Sequence, residues 1–232
     1  SHKRLNWHLH ERRSFNVEPT SKPIAVISGD IVNSTKLTSE QFEQLLKRIK
    51  DIQRLITAGN SSNAHSIERG DEFQTVVHDI ESALRYTIIY RIGIKALGKE
   101  FDSRISLAIA SNADLRESVS ESMGEAFVLS GRGLKALKSD RLLFNSDRFE
   151  LTEHFDLLFK YLDRQLTELT SRQCEVMLPM LRTNEGLSIS ELAEKLDVAT
   201  ATASKSLKAS GWPLISELNW RFINQVKGLK YV

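Results

Sequence analysis

Two aspartates carry the first chemical signal in this chain. Asp30 follows the apolar run Ile24-Ala25-Val26-Ile27 and the pair Ser28-Gly29, and Asp71 sits inside Arg69-Gly70-Asp71-Glu72-Phe73. Taken singly, each reads as a cap or turn aspartate. Brought together, two carboxylates cannot both stay ionised cheaply unless a cation joins them. Magnesium or manganese prefers such hard oxygen ligands and usually brings phosphate oxygens with it. After Asp30 the segment Ile31-Val32-Asn33-Ser34-Thr35 runs toward a helix start, where free N–H groups and two hydroxyls can hold a polyphosphate. The candidate metal ligands are therefore Asp30 and Asp71. Asn33, Ser34, Thr35 and Arg69 are the candidate nucleotide- or phosphate-binding residues.

Whether the pair meets depends on the elements around it. The run at 24–27 predicts a buried strand. Thr38-Ser39-Glu40-Gln41 offers a capping box, and Phe42, Leu45, Leu46, Ile49, Ile52 and Ile56 predict a helix over 39–57. A hairpin is expected from 65–69 and 72–78 with Gly70-Asp71 at its turn. A second helix follows over 79–97, then a strand over 104–109, a polar loop over 112–122, a helix from Gly124 and a strand at 141–144. The order β-α-β-β-α-β is that of the ferredoxin-like split βαβ unit. There the first and third strands are antiparallel neighbours, so Asp30 and Asp71 are expected at one edge of the sheet.

The C-terminal third has a different texture. A connector helix is expected over 153–169, followed by helices over 171–181, 188–196, 199–209 and 214–227, with Gly211-Trp212-Pro213 stopping the one over 199–209. The helices over 188–196 and 199–209, joined at Asp197-Val198, read as a helix-turn-helix with Leu192, Leu196, Val198 and Leu207 as shared core and Ala193 at the close crossing. Thr200, Thr202, Ser204, Lys205 and Lys208 are the candidate DNA-binding residues, being short polar or cationic groups that reach base edges and phosphates. Charge agrees: from Val198 onward Lys205, Lys208, Arg221, Lys227 and Lys230 face Glu217 alone, behind an acidic stretch over 185–197. Cys174 reads as a small core hydrophobe, and Trp212 and Trp220 as core or dimer packing.

Composition bounds the classes. Of 232 residues, 41% are hydrophobic and 27% charged, which fits a globular chain and excludes disordered and fibrous ones. With 32 basic and 30 acidic residues the formal charge is +2, so a uniformly basic coat is excluded while a local patch is not. A single cysteine forbids an internal disulfide, and no apolar run is long enough for a membrane span. A soluble, cytoplasmic protein is expected, with residues 1–22, which hold His2, His8 and His10, as a flexible extension.

The motifs also resemble a known family. Gly29-Asp30-Ile31-Val32-Asn33-Ser34-Thr35 is similar to the opening metal-binding segment of class III nucleotidyl cyclases, and Arg69-Gly70-Asp71-Glu72-Phe73 to their second metal-binding hairpin. The latter also differs by one residue from the GGDEF signature of diguanylate cyclases. Ser103–Ile109, Gly124-Glu125-Ala126-Phe127 and Arg132-Gly133-Leu134 resemble the later cyclase pattern. On that resemblance Arg132 matches a transition-state residue, and would be catalytic only in an active enzyme. Glu121 falls where adenylate-specific enzymes have an aspartate. The substrate-reading lysine is replaced by Ile67 and a transition-state asparagine by Val128. The combination with a C-terminal helix-turn-helix resembles the SatD-type family of bacterial proteins.

The expected fold is thus an α/β chain, with an α+β ferredoxin-like, cyclase-type βαββαβ core over 23–148, a connector over 149–168 and an all-α helix-turn-helix domain over 169–232. The resemblance implies magnesium or manganese, a nucleotide ligand, DNA and a homodimeric partner. Two functions compete: a DNA-binding regulator with a degenerate cyclase-like sensor or dimerisation domain, and an active nucleotidyl cyclase or other metal-dependent phosphoryl-transfer enzyme with a DNA-binding tail.

Overall fold

A computed structural model describes residues 22–111 and 124–229. The expected extension over 1–22 (all but its last residue), the polar loop over 112–122, Glu121 and Lys230 lie outside the described residues.

Five strands form one sheet in the order β2-β3-β1-β4-β5. They are β1 (Pro23–Ile31), β2 (Ala64–Glu68), β3 (Glu72–Val77), β4 (Ser103–Ser111) and β5 (Leu142–Ser146). β1 pairs antiparallel with both β3 and β4, and β5 runs parallel to β4. The first four strands keep the expected split βαβ order, and β5 extends the sheet. β1 is central and covered on both faces, so its residues from Ile24 to Gly29 are all buried. This is why it reads as a continuous apolar run instead of an alternating one.

The helices follow their signals. α1 (Ser39–Gly59) opens with the predicted capping box, Gln41 N–H donating to Thr38 Oγ1 and Thr38 N–H to Gln41 Oε1. α2 (Ala83–Lys95) follows a 3-10 turn at Ile80–Ser82 and is buried from Ala83 to Ile94. A helix buried all round must be covered on both sides. The sheet covers one side of α2, and C-terminal helices cover the other. α3 (Glu125–Ala136) packs on the opposite sheet face over Ile24, Val26, Val76 and Ala110.

α4 (Phe149–Glu168) begins four residues earlier than the periodicity suggested, and it does more than connect. Its Phe155, Phe159, Leu162 and Leu166 join Phe144 of β5 and Phe222 of the last helix in the core that also holds Ile27, Leu107 and most of α2. The Phe155 and Phe222 ring centres are 5.2 Å apart. α5 (Ser171–Met177), α6 (Ile189–Leu196), α7 (Thr200–Ala209) and α8 (Trp212–Val226) complete the fold. α8 departs from expectation at its start. Gly211, with φ 77°, ends α7, and Pro213 lies in the first turn of α8, where a missing N–H costs nothing. Trp220 is 65% exposed, so of the two expected roles, core or dimer packing, the core one is excluded. Cys174 is fully buried as expected, and burial pushes its thiol up to about 11.

A buried ionic network ties these parts together. Arg91 of α2, fully buried, donates from Nε to Asp102 Oδ1 at 2.8 Å, from Nη1 to Asp163 Oδ1 at 2.9 Å and from Nη2 to Thr167 Oγ1 at 2.8 Å. Arg141 also pairs with Asp102. Such a charge is tolerable inside only when every donor is met. Among the described residues no helix is long and apolar enough to cross a membrane.

Candidate functional site

The register of the sheet sets out the site. Glu68 on β2 faces Glu72 on β3, Glu72 faces Asp30 on β1, and Asp30 faces Arg104 on β4. Directly opposed residues share a sheet face, so three carboxylates and one guanidinium stand in a row at one end of the sheet. Like charges opposed across strands are unfavourable. Here the two glutamates remain exposed to water, and Arg104 Nε donates to Asp30 Oδ1 at 2.8 Å. The next row on that face is Ser66, Gln74, Ser28 and Ser106. Gln74 Nε2 donates to Ser28 Oγ at 3.1 Å, and the Ser130 hydroxyl of α3 lies 2.7 Å from the same oxygen. The β1, β2 and β3 members of both rows line a crevice of about 260 Å³, closed on its far side by Gly131, Leu134 and Lys135 of α3.

Asp71 arrives from the hairpin. Its turn is built by two left-handed residues, Arg69 at φ 52° and Gly70 at φ 76°, after which the Asp71 carbonyl accepts from Ile31 N–H at 3.0 Å. Val32 N–H donates on the other side to the Asp102 carbonyl at 2.9 Å, so the strand end is pinned from both neighbours. Ser34 Oγ donates to Asp71 Oδ2 at 2.9 Å. The loop therefore brings Ser34 onto Asp71, while Asp30 is held on β1 opposite Glu72 and Arg104. Asn33, exposed and left-handed at φ 55°, turns the chain into the 3-10 turn Ser34–Lys36. Asn tolerates that conformation better than most residues. The loop does not lead straight into α1, as expected for a phosphate cradle. The Thr38–Gln41 box already satisfies that helix end. The Ser34 and Thr35 N–H groups instead open a short turn and have no partner within it.

Chemically, the donor set suits a hard divalent cation. Asp30 has one oxygen on Arg104 and Asp71 one on Ser34, which leaves a carboxylate oxygen on each. Among the described residues no group of three or more His, Cys, Asp or Glu converges into a cage. Two carboxylates fit magnesium when phosphate oxygens and water complete its shell. Arg69 and Arg132 are exposed and neither lines the crevice; Lys135 is the α3 cation that does. Ile67 is half-buried against the α1 and α2 side of the sheet. Sequence reasoning missed Arg104, Glu68, Glu72 and Lys135. Counting cross-strand register outward from the hairpin would have found the first three.

The second candidate region lies in α6 and α7. Asp197, at φ 54°, ends α6, and Val198 and Ala199 lead into α7. Ser188 caps α6 through Glu191 N–H at 3.1 Å. Leu192 and Ala193 pack on Ala203 and Leu207, with Leu196 and Val198 partly buried beside them. Thr200, Thr202, Lys205 and Lys208 are exposed on α7, and Ser204 is half-buried.

No protein-family model matches the chain, and no curated protein matches it. Among solved structures it is similar to the guanylyl cyclase Cya2, with 12% identity over 54% of this chain and 76% of that one at a TM-score of 0.39. It is also similar to a bacterial light-regulated adenylyl cyclase, with 15% identity over 54% of this chain and 77% of that one at a TM-score of 0.38. A second structure bearing that description matches with 17% identity over 56% of this chain and 44% of that one, at a TM-score of 0.37.

Proposed function

We propose that this chain is a DNA-binding regulator whose sheet unit binds a nucleotide polyphosphate together with magnesium or manganese. The observation that carries the DNA half is the α6–α7 pair. Its two short helices share an apolar seam and leave Thr200, Thr202, Lys205 and Lys208 outward together. That is the disposition a helix needs to enter a major groove, with short side chains for base edges and lysines for phosphates. The nucleotide half is supported by Asp30 at the end of β1, by Asp71 on the adjoining hairpin, whose carbonyl accepts from Ile31 N–H, and by the Ser34 and Thr35 turn beside it. The metal would sit between the two aspartates and neutralise phosphate charge. Arg104 would add a fixed cation and Lys135 a second one across the crevice.

Contacts between the halves offer a route for the nucleotide to influence DNA. Arg85 of α2 donates to the Leu181 carbonyl at 2.7 Å and to Asn184 Oδ1 at 2.9 Å, in the segment just before α6. The test is a fluorescence-anisotropy titration of mixed duplex fragments over a range of salt, with and without nucleoside triphosphate and magnesium. Binding that weakens steeply with salt is expected, as phosphate contacts release counterions. A folded protein that binds no duplex at ~50 mM salt would sink the regulator reading, because even non-specific binders associate there.

A second reading, a metal-dependent phosphoryl-transfer enzyme, draws on the crevice itself, which places Lys135 of α3 across from Asp30 of β1. Product formation from ATP or GTP separates the two.

A further inference from the structure

The outer face of α4 and α8 is an apolar feature that neither proposed ligand uses. Leu157 and Tyr161 on α4 are 60% and 66% exposed, and Leu214 on α8 is 74% exposed. Between the two helices runs a groove of about 490 Å³, floored by Leu158, Leu162 and Leu218 and rimmed by Tyr161 and Leu214. An exposed apolar face beside a groove of this kind marks a site of association.

We propose that this face pairs two copies of the chain about a two-fold axis. Knob and hole lie on the same surface, which is the condition for an isologous contact. Tyr161 and Leu214 of each copy project beside the groove that would receive those of the other. The charges on the groove are self-complementary as well. Glu217 and Arg221 both line it, one helical turn apart, and meet at 3.1 Å within α8 while more than half exposed. When α8 packs antiparallel on its own copy with the axis crossing midway between Glu217 and Arg221, Glu217 of each faces Arg221 of the other. A partner of one charge sign would satisfy only half of this pattern; a second copy satisfies all of it. Phe155, Phe159 and Phe222 fix the floor from beneath, so the groove is rigid and needs little ordering to bind.

The axis has a geometric consequence. α8 follows α7 at Gly211 without a linker, so pairing through α8 would hold two α7 helices in a fixed two-fold relation. The pairing itself does not depend on the DNA reading.

Sedimentation equilibrium of the full chain between ~1 and ~100 μM is the test, since this range spans Kd values of ordinary homodimers. The wild type should sediment as a dimer. Tyr161→Glu with Leu214→Glu should weaken it more than ~10-fold while leaving the circular dichroism unchanged, as both side chains are at the surface. Glu217→Arg and Arg221→Glu should each weaken self-association by placing like charges across the axis, and an equimolar mixture of these two variants should pair again. A wild type that is monomeric throughout would overturn the proposal and leave the groove to another occupant. So would a dimer whose affinity ignores Tyr161, Leu214 and the charge reversals.

Discussion

Ser34 and Asp71, 37 positions apart, are joined by a hydrogen bond of 2.9 Å that closes the loop after β1 onto the β2–β3 hairpin. The bond orients one carboxylate oxygen and leaves the other for a cation. Calorimetric titration with inorganic triphosphate should therefore show a gain in affinity on adding magnesium. Asp71→Asn should abolish the gain, and Ser34→Ala should reduce it by about 1 kcal/mol, the usual worth of one such bond. Equal affinities with and without magnesium would remove the cation from the site.

Little or no cyclic nucleotide should form from ATP or GTP with either metal. Ile67 and Val128 stand where the cyclase resemblance implies a substrate reader and a transition-state group. Each loss should cost on the order of 10²–10³-fold, by analogy with an oxyanion-hole donor. Turnover measured by product chromatography that disappears in Asp30→Ala would favour the enzyme reading instead.

On α7 the lysines and the hydroxyls should behave differently. Lys205→Ala and Lys208→Ala should weaken DNA binding across all sequences and flatten the salt dependence by about one unit of slope each. Thr202→Ala or Ser204→Ala should change preference among sites by ~1–3 kcal/mol if they meet bases. Competition between duplexes at fixed salt reads the second effect, and a uniform loss would assign both residues to phosphate.

His65 offers a pH test of the fold. It bridges Thr57 Oγ1 at 2.8 Å and Thr75 Oγ1 at 3.0 Å, and Thr75 in turn meets the Tyr90 hydroxyl at 2.6 Å. Burial lowers its pKa from 6.5 to about 4. Between those values the unfolded chain binds a proton that the folded chain does not, so this group lowers stability as pH falls from 6.5 toward 4 and has no pH effect above. Urea midpoints at about pH 7.5 and about pH 5 should show the wild type losing more stability than His65→Gln. Equal losses would mean His65 takes up its proton in the folded state.

Asp163→Ala should be among the most damaging substitutions away from the sheet. It removes one of the two carboxylates on Arg91, whose side chain is fully buried. Breaking a buried pair from one side costs about 3–5 kcal/mol, because the remaining charge is stranded. Urea unfolding reads this directly, and a loss below ~1 kcal/mol would show that water reaches the guanidinium.

The order of elements was legible because each carried a local signal. Thr38 and Gln41 announce α1, the Gly70 turn announces the hairpin, and Leu192, Leu196 and Leu207 carry the helical period of α6 and α7. What stayed hidden was non-local. Nothing near Arg104 in sequence points to Asp30; only the register of β1 against β4 does. α4 read as a connector because its heptad-like face does not name its partner, which proved to be β5 and α8. Pro213 read as a stop, although proline is equally at home in a first helical turn.

The complete enclosure of α2 bears on how the chain comes into being. Emerging from the ribosome at ~5–20 residues per second, α2 waits on the order of ten seconds before α8, the last helix to cover it, has been made. Until then the side of α2 that receives the C-terminal helices is only partly covered and has water or a chaperone to meet the rest of it. The newborn sheet unit is therefore expected to be sticky, to favour slow translation little, and to become safe only once Val226 is threaded home.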